Sequence, residues 1–138
     1  MDKFTRNYSI GLGLICLAIL VYWLATFSFR VSELNDLLEN DQSLVDYPYQ
    51  FRVISLDDGV AELSSPRSFD APAVNFLAII YPDLKNRSTE DPILIAAQKD
   101  LADHQAHAKK LILDQPDITK VRWVLDRAWY SERGIYLE

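Results

Sequence analysis

His104 and His107 are the only histidines in the chain, three residues apart, with Asp100 and Asp103 on the same stretch. Residues three and four apart meet on one helical face, so two imidazoles and a carboxylate could approach one cation. A zinc-type site needs three or four ligands and outer groups that orient them, and this run offers no more than the four residues named. They are weak metal candidates. The ordinary reading is a pair of capped or solvent-facing helix histidines, with Asp103 able to pair with His107 at four-residue spacing.

Nucleophilic chemistry would require Ser64, Ser65, Ser68 or Ser131 beside one of those histidines, yet none lies in a Gly-x-Ser-x-Gly elbow. Asp57 and Asp58 are accounted for by a turn, and Glu62 by an exposed strand position. The four glycines fall at Gly11, Gly13, Gly59 and Gly134, so no loop can cradle a phosphate. Residues 30–138 carry 12 basic against 19 acidic side chains, a net charge of −7, which repels nucleic acid. The basic residues Lys120, Arg122, Arg127 and Arg133 read as ordinary solvation. No catalytic residue and no cofactor are expected.

The elements that must carry these residues begin with a membrane span. From Tyr8 to Phe29 there are 22 residues without a charged side chain or histidine. As a helix they reach roughly 33 Å, enough for a hydrocarbon core of about 30 Å. A cleaved signal peptide would have a shorter apolar region ending at small residues, whereas Tyr22, Trp23, Phe27 and Phe29 extend this one. Tyr8 at one end and Tyr22, Trp23 and Phe27 toward the other fit the rings that settle among headgroups. Lys3 and Arg6 precede the span and only Arg30 closely follows it, which places the N-terminus in the cytoplasm. The single cysteine, Cys16, lies within the span, so the domain folds without disulfides. The expected location is the cell inner membrane, crossed once, with the domain outside the cytoplasm.

Val31, Leu34, Leu37 and Leu38 continue at helical spacing past the membrane, followed by a polar linker over 41–48. That stripe is the expected contact with another membrane protein or a second copy. The soluble domain spans 49–138. Residues 49–56 and 60–64 flank Asp58-Gly59, the chain's clearest hairpin signal, with Leu56 opposite Ala61 and Ile54 opposite Leu63. Both faces of that hairpin hold apolar side chains. Residues 72–81 are a largely apolar run that suits either a helix capped by Asp70 or a buried strand. Asp91 and Pro92 open a long amphipathic helix that runs toward Pro116. Residues 119–125 alternate as a strand, a short helix ends at Gly134, and the final residues form a further edge strand. Trp123, Trp129 and Tyr130 are aromatics for the core or for a ligand pocket.

The fold class is therefore α+β: one transmembrane helix, then a hairpin plus one or two strands covered by helices. FRVISLDDGVAEL and the step from the long helix into VRWVL resemble the small bacterial BON domains over about a third of the chain. Ser64-Ser65-Pro66 stands where that family has an apolar-Gly pattern, and no binding residue is transferred. The function expected is a non-enzymatic, membrane-anchored interaction or assembly subunit. A membrane-proximal sensory or ligand-binding domain is the alternative, ahead of a small membrane-bound enzyme.

Overall fold

The computed structural model describes residues 2–137, apart from the side chains of 26–28. Helix α1, Lys3–Asn40, is 38 residues of unbroken helix opened by the Asp2 carboxylate, which accepts from the Phe4 N–H. Its length is about 57 Å. After a one-turn helix α2, Gln42–Val45, the chain forms strands β1, Val53–Asp57, and β2, Val60–Ser65. Helix α3, Ala73–Ile80, helix α4, Pro92–Leu113, strand β3, Lys120–Leu125, and the short helix α5, Arg127–Ser131, complete the order.

Asp58 and Gly59 sit at φ +50° and +79°, the left-handed pair that a two-residue hairpin turn demands. Asp57 pairs with Val60 and Leu56 with Ala61. Beyond that point the pairing departs from strict alternation, because a bulge at Ile54 puts Val53, not Ile54, opposite Leu63. One added residue turns every earlier side chain over. Val53 and Leu56 thus share the buried face while Ile54 is 52% exposed, which resolves the two-faced apolar pattern of the hairpin. β3 joins β2 in parallel, with Leu63 beside Trp123 and Ser65 beside Leu125, giving the order β1-β2-β3 in a mixed sheet.

Helix α4 lies over β2 and β3, and the end of α1 lies against β1. The core between them holds Leu34, Leu38, Phe51, Ala61, Leu63, Leu101 and Ile112, each at most 1% exposed. The outer face keeps Glu62 and Arg122 as an ion pair across β2 and β3. At the outer edge of β1, Asn35 uses both ends of its amide: the oxygen accepts from the Val53 N–H at 2.6 Å and the nitrogen donates to the Val53 carbonyl at 3.1 Å.

Several expectations are corrected here. Within 72–81 the chain is helical over Ala73–Ile80, but Pro72 stands at its start without a side-chain cap, and Asp70 instead faces Arg127 at 3.5 Å. Residues 41–48 are no free linker, since Leu44 and Tyr47 are buried in the same core as Leu34. Ile135–Leu137 pair with no strand; after Gly134, at φ +76°, the Ile135 N–H closes on the Tyr130 carbonyl.

Candidate functional site

The apolar run of α1 is the first candidate surface. Among the described residues it is the one helix long and apolar enough to cross a membrane, with a mean hydropathy of 2.3 over its best window and none of that window buried by the chain. Tyr8, Tyr22 and Trp23 stand exposed on it; Phe27 lies outside the described side chains. Where the run ends, Arg30 turns onto the loop between α4 and β3. Its Nε donates to Asp117 Oδ2 at 2.8 Å and a terminal nitrogen to Oδ1 at 2.5 Å, with Gln115 and Glu33 each at 3.3 Å. This fork-on-fork pairing fixes direction as well as charge, and the guanidinium holds the Asp117 carboxyl below its ordinary range.

The expected partner stripe has a different fate. Leu34 and Leu38 are fully buried by the chain's own α4 and sheet, Val31 is partly buried, and Leu37 alone of the four stays 40% exposed. Helix α1 does not stop at the domain boundary but serves as one of its core helices, so two of the four side chains are unavailable to another chain.

The two histidines turn to separate partners. His104 stacks on the Tyr47 ring with centroids 4.1 Å apart, and its Nδ1 meets the Asp100 carbonyl at 2.7 Å. His107 Nε2 reaches Asp41 Oδ1 at 2.9 Å, whereas Asp103 is taken by Lys99 at 2.7 Å. Among the described residues no group of three potential ligands gathers. What the pair does is mechanical: it clips the segment from Asp41 to Tyr47 onto α4, and the expected His107–Asp103 pairing is replaced by one 66 residues away.

The three aromatics divide. Trp129 and Tyr130 belong to the core, with Trp129 edge-on to Tyr49 and to Tyr130, and Arg133 stacked 3.9 Å from the centre of the Trp129 ring. The Tyr130 hydroxyl donates to the Pro66 carbonyl, and burial pushes its phenol up to about 12. Beside them the Tyr49 hydroxyl donates to Asp126 at 2.8 Å, and burial raises that phenol too. Tyr47 is buried as well, but its hydroxyl has no partner among the described residues.

Trp123 instead lines a cleft of about 590 Å³ with Ser65, Arg67, Ser68, Gln105 and Lys109. Gln105 is 6% exposed on the core side of α4. Its amide nitrogen donates to Ser65 Oγ at 2.9 Å and its oxygen accepts from Arg67 Nε at 2.5 Å. No family model, curated protein or solved structure matches this chain. The resemblance to BON domains therefore rests on the hairpin and the α4-to-β3 step alone. The cleft was missed by sequence reasoning, which attended to His104. The signal was Gln105 itself, four residues after Leu101 and three before Ala108, on a stripe that should be apolar.

Proposed function

We propose that this chain is a single-pass membrane protein of the cell inner membrane, its N-terminus cytoplasmic and its domain extracytoplasmic, that works as a non-enzymatic interaction or assembly subunit. The supporting observation is the contrast along α1: an apolar window with none of its surface buried, continuous with a segment whose Leu34 and Leu38 are sealed. A soluble protein leaving that window in water would expose an apolar patch far beyond the few hundred Å² usual for monomers. Lipid or the span of another membrane protein covers it. The non-enzymatic reading is supported by what the reactive side chains do instead, His104 and His107 clipping a loop and Asp126 anchoring Tyr49.

The Arg30–Asp117 fork supports a domain held at a set attitude to the bilayer, as an assembly subunit requires. Partner contact then falls to the span and to residues still exposed near it, Leu37 among them. The test combines alkaline extraction with protease added to intact spheroplasts. The protein stays in the membrane pellet and residues beyond 30 are digested. Release by alkali defeats the anchor, and protection of the domain reverses the topology. Photo-crosslinking from positions 17 and 37 then reports the partner; adducts at neither position defeat the assembly role.

A further inference from the structure

Arg67 and Lys109 share one cleft in a chain with a surplus of acids. Arg30, Arg52, Arg87, Arg122 and Arg127 each have a carboxylate within 4 Å. Arg67 has none among the described residues; its Nε is taken by Gln105, and its two terminal nitrogens have no partner among the described residues. Lys109 faces the same cleft without an ion pair among the described residues, and no carboxylate lines the space. Unpaired cations gathered on an acidic protein raise the local concentration of anions.

The support beneath Arg67 is built. A buried glutamine must satisfy both ends of its amide or leave a polar group stranded away from water. Gln105 does so with Ser65 Oγ on one side and Arg67 Nε on the other, while Ser65 Oγ also donates to the Arg67 carbonyl at 2.9 Å. Gln105 thereby holds the partly buried guanidinium at Nε while Ser65 fixes the Arg67 backbone, and the terminal edge is left over. Preorganised guanidinium edges suit planar or tetrahedral oxyanions. Trp123, with Ala102 and Ala106 of α4, supplies an apolar wall beside the charge. Sites of this kind are mostly apolar with a few fixed polar groups.

The cleft also lies away from the anchor. Val60 opens β2 next to the hairpin turn, where Gly59 accepts from the Thr119 N–H near the Arg30–Asp117 fork. Ser65 closes the same strand, five steps of about 3.3 Å farther on.

We propose that the cleft between the end of β2 and α4 binds a soluble oxyanion, a carboxylate or phosphate monoester on a flat or aliphatic body. Arg67 and Lys109 take the charge, Trp123 takes the body, and Gln105 acts as a positioning residue for Arg67. The site is independent of how the span is used.

The full chain in a neutral detergent is titrated with phenyl phosphate, benzoate and inorganic phosphate, followed by calorimetry and by the Arg67 Nε–H resonance. Phenyl phosphate binds more tightly than inorganic phosphate because only the former reaches Trp123. Arg67→Gln and Lys109→Gln each weaken it by about tenfold, or ~1.4 kcal/mol. Gln105→Glu places a carboxylate on Arg67 and abolishes binding, at some loss of melting temperature because the carboxylate cannot donate to Ser65 Oγ, whereas Gln105→Leu, which cannot hold the guanidinium, retains only the weaker, unpositioned affinity. Absence of heat and shift with all three probes at about 10 mM, an affinity too weak to matter at ~2.7 kcal/mol, overturns the proposal. Unchanged affinity in both cation variants overturns it too. Competition by dihexanoyl phosphatidylglycerol would assign the cleft to a lipid headgroup and overturn the soluble source.

Discussion

The two lengths of α1 on either side of Arg30 are made of similar residues and meet opposite surroundings. Leu12, Leu17 and Leu20 are 50–56% exposed, while Leu34 and Leu38 are at 0%. Nothing in leucine distinguishes them. The difference is spacing: before Arg30 apolar residues occupy every side of the helix, and after it they return only every three or four residues, with Glu33, Asp36 and Glu39 between. A helix apolar all round suits lipid, and one with a stripe suits a domain. The same backbone can therefore be membrane anchor and core helix, with a charged fork at the join.

The largest effect should come from the buried length. Leu34→Ala removes a sealed side chain and should lower the domain's unfolding free energy by about 2–5 kcal/mol, read by denaturant melting in detergent. Leu17→Ala should leave the same melt unmoved, and equal losses at both sites would erase the contrast. Next, Tyr49→Phe takes a hydrogen bond from the buried Asp126 and should lower stability by about 1–3 kcal/mol. Smaller again is the fork at the join. Its ends are partly exposed, so Asp117→Asn should lose no more than about 1 kcal/mol at neutral pH. Because Arg30 depresses the Asp117 carboxyl, that contribution is complete above the ordinary aspartate value and fades as pH falls through the lower folded value. The gap in melting temperature between wild type and Asp117→Asn should close in that acidic window, and a gap that widens there would refute the pairing. The smallest effect belongs to Tyr47→Phe. Removing a buried hydroxyl without a partner among the described residues should leave the melt unchanged or slightly raised, and a clear loss would reveal a bond to that oxygen.

Local chemistry made much of this fold legible. Asp58-Gly59 named its turn, Asp91-Pro92 named the start of α4, and the uncharged run from Tyr8 marked the long apolar helix. What stayed hidden depended on tertiary partners. The bulge at Ile54 has no glycine or proline to announce it, so period-two reasoning carried past it and exchanged Val53 for Ile54. His107 looked inward to Asp103 at helical spacing but found Asp41, because the returning loop puts that carboxylate at 2.9 Å. The stripe through Leu34 was recognised as needing cover, yet only the folded domain reveals that α4 supplies it. In the cleft, Trp123 was singled out for its aromaticity, whereas Gln105 and Arg67 owe their importance to each other and to Ser65, some 40 residues apart in sequence.

The amide of Asn35 closes with a further consequence. An open strand edge offers unpaired N–H and C=O groups to any neighbouring copy. β1 is such an edge, and exposed edges template sheet-to-sheet growth. By giving and accepting a hydrogen bond at Val53 as an adjoining strand would, Asn35 fills the place where the next copy would begin to zip. One side chain from α1 thus blocks the outer edge of β1 at Val53 against a strand from another copy.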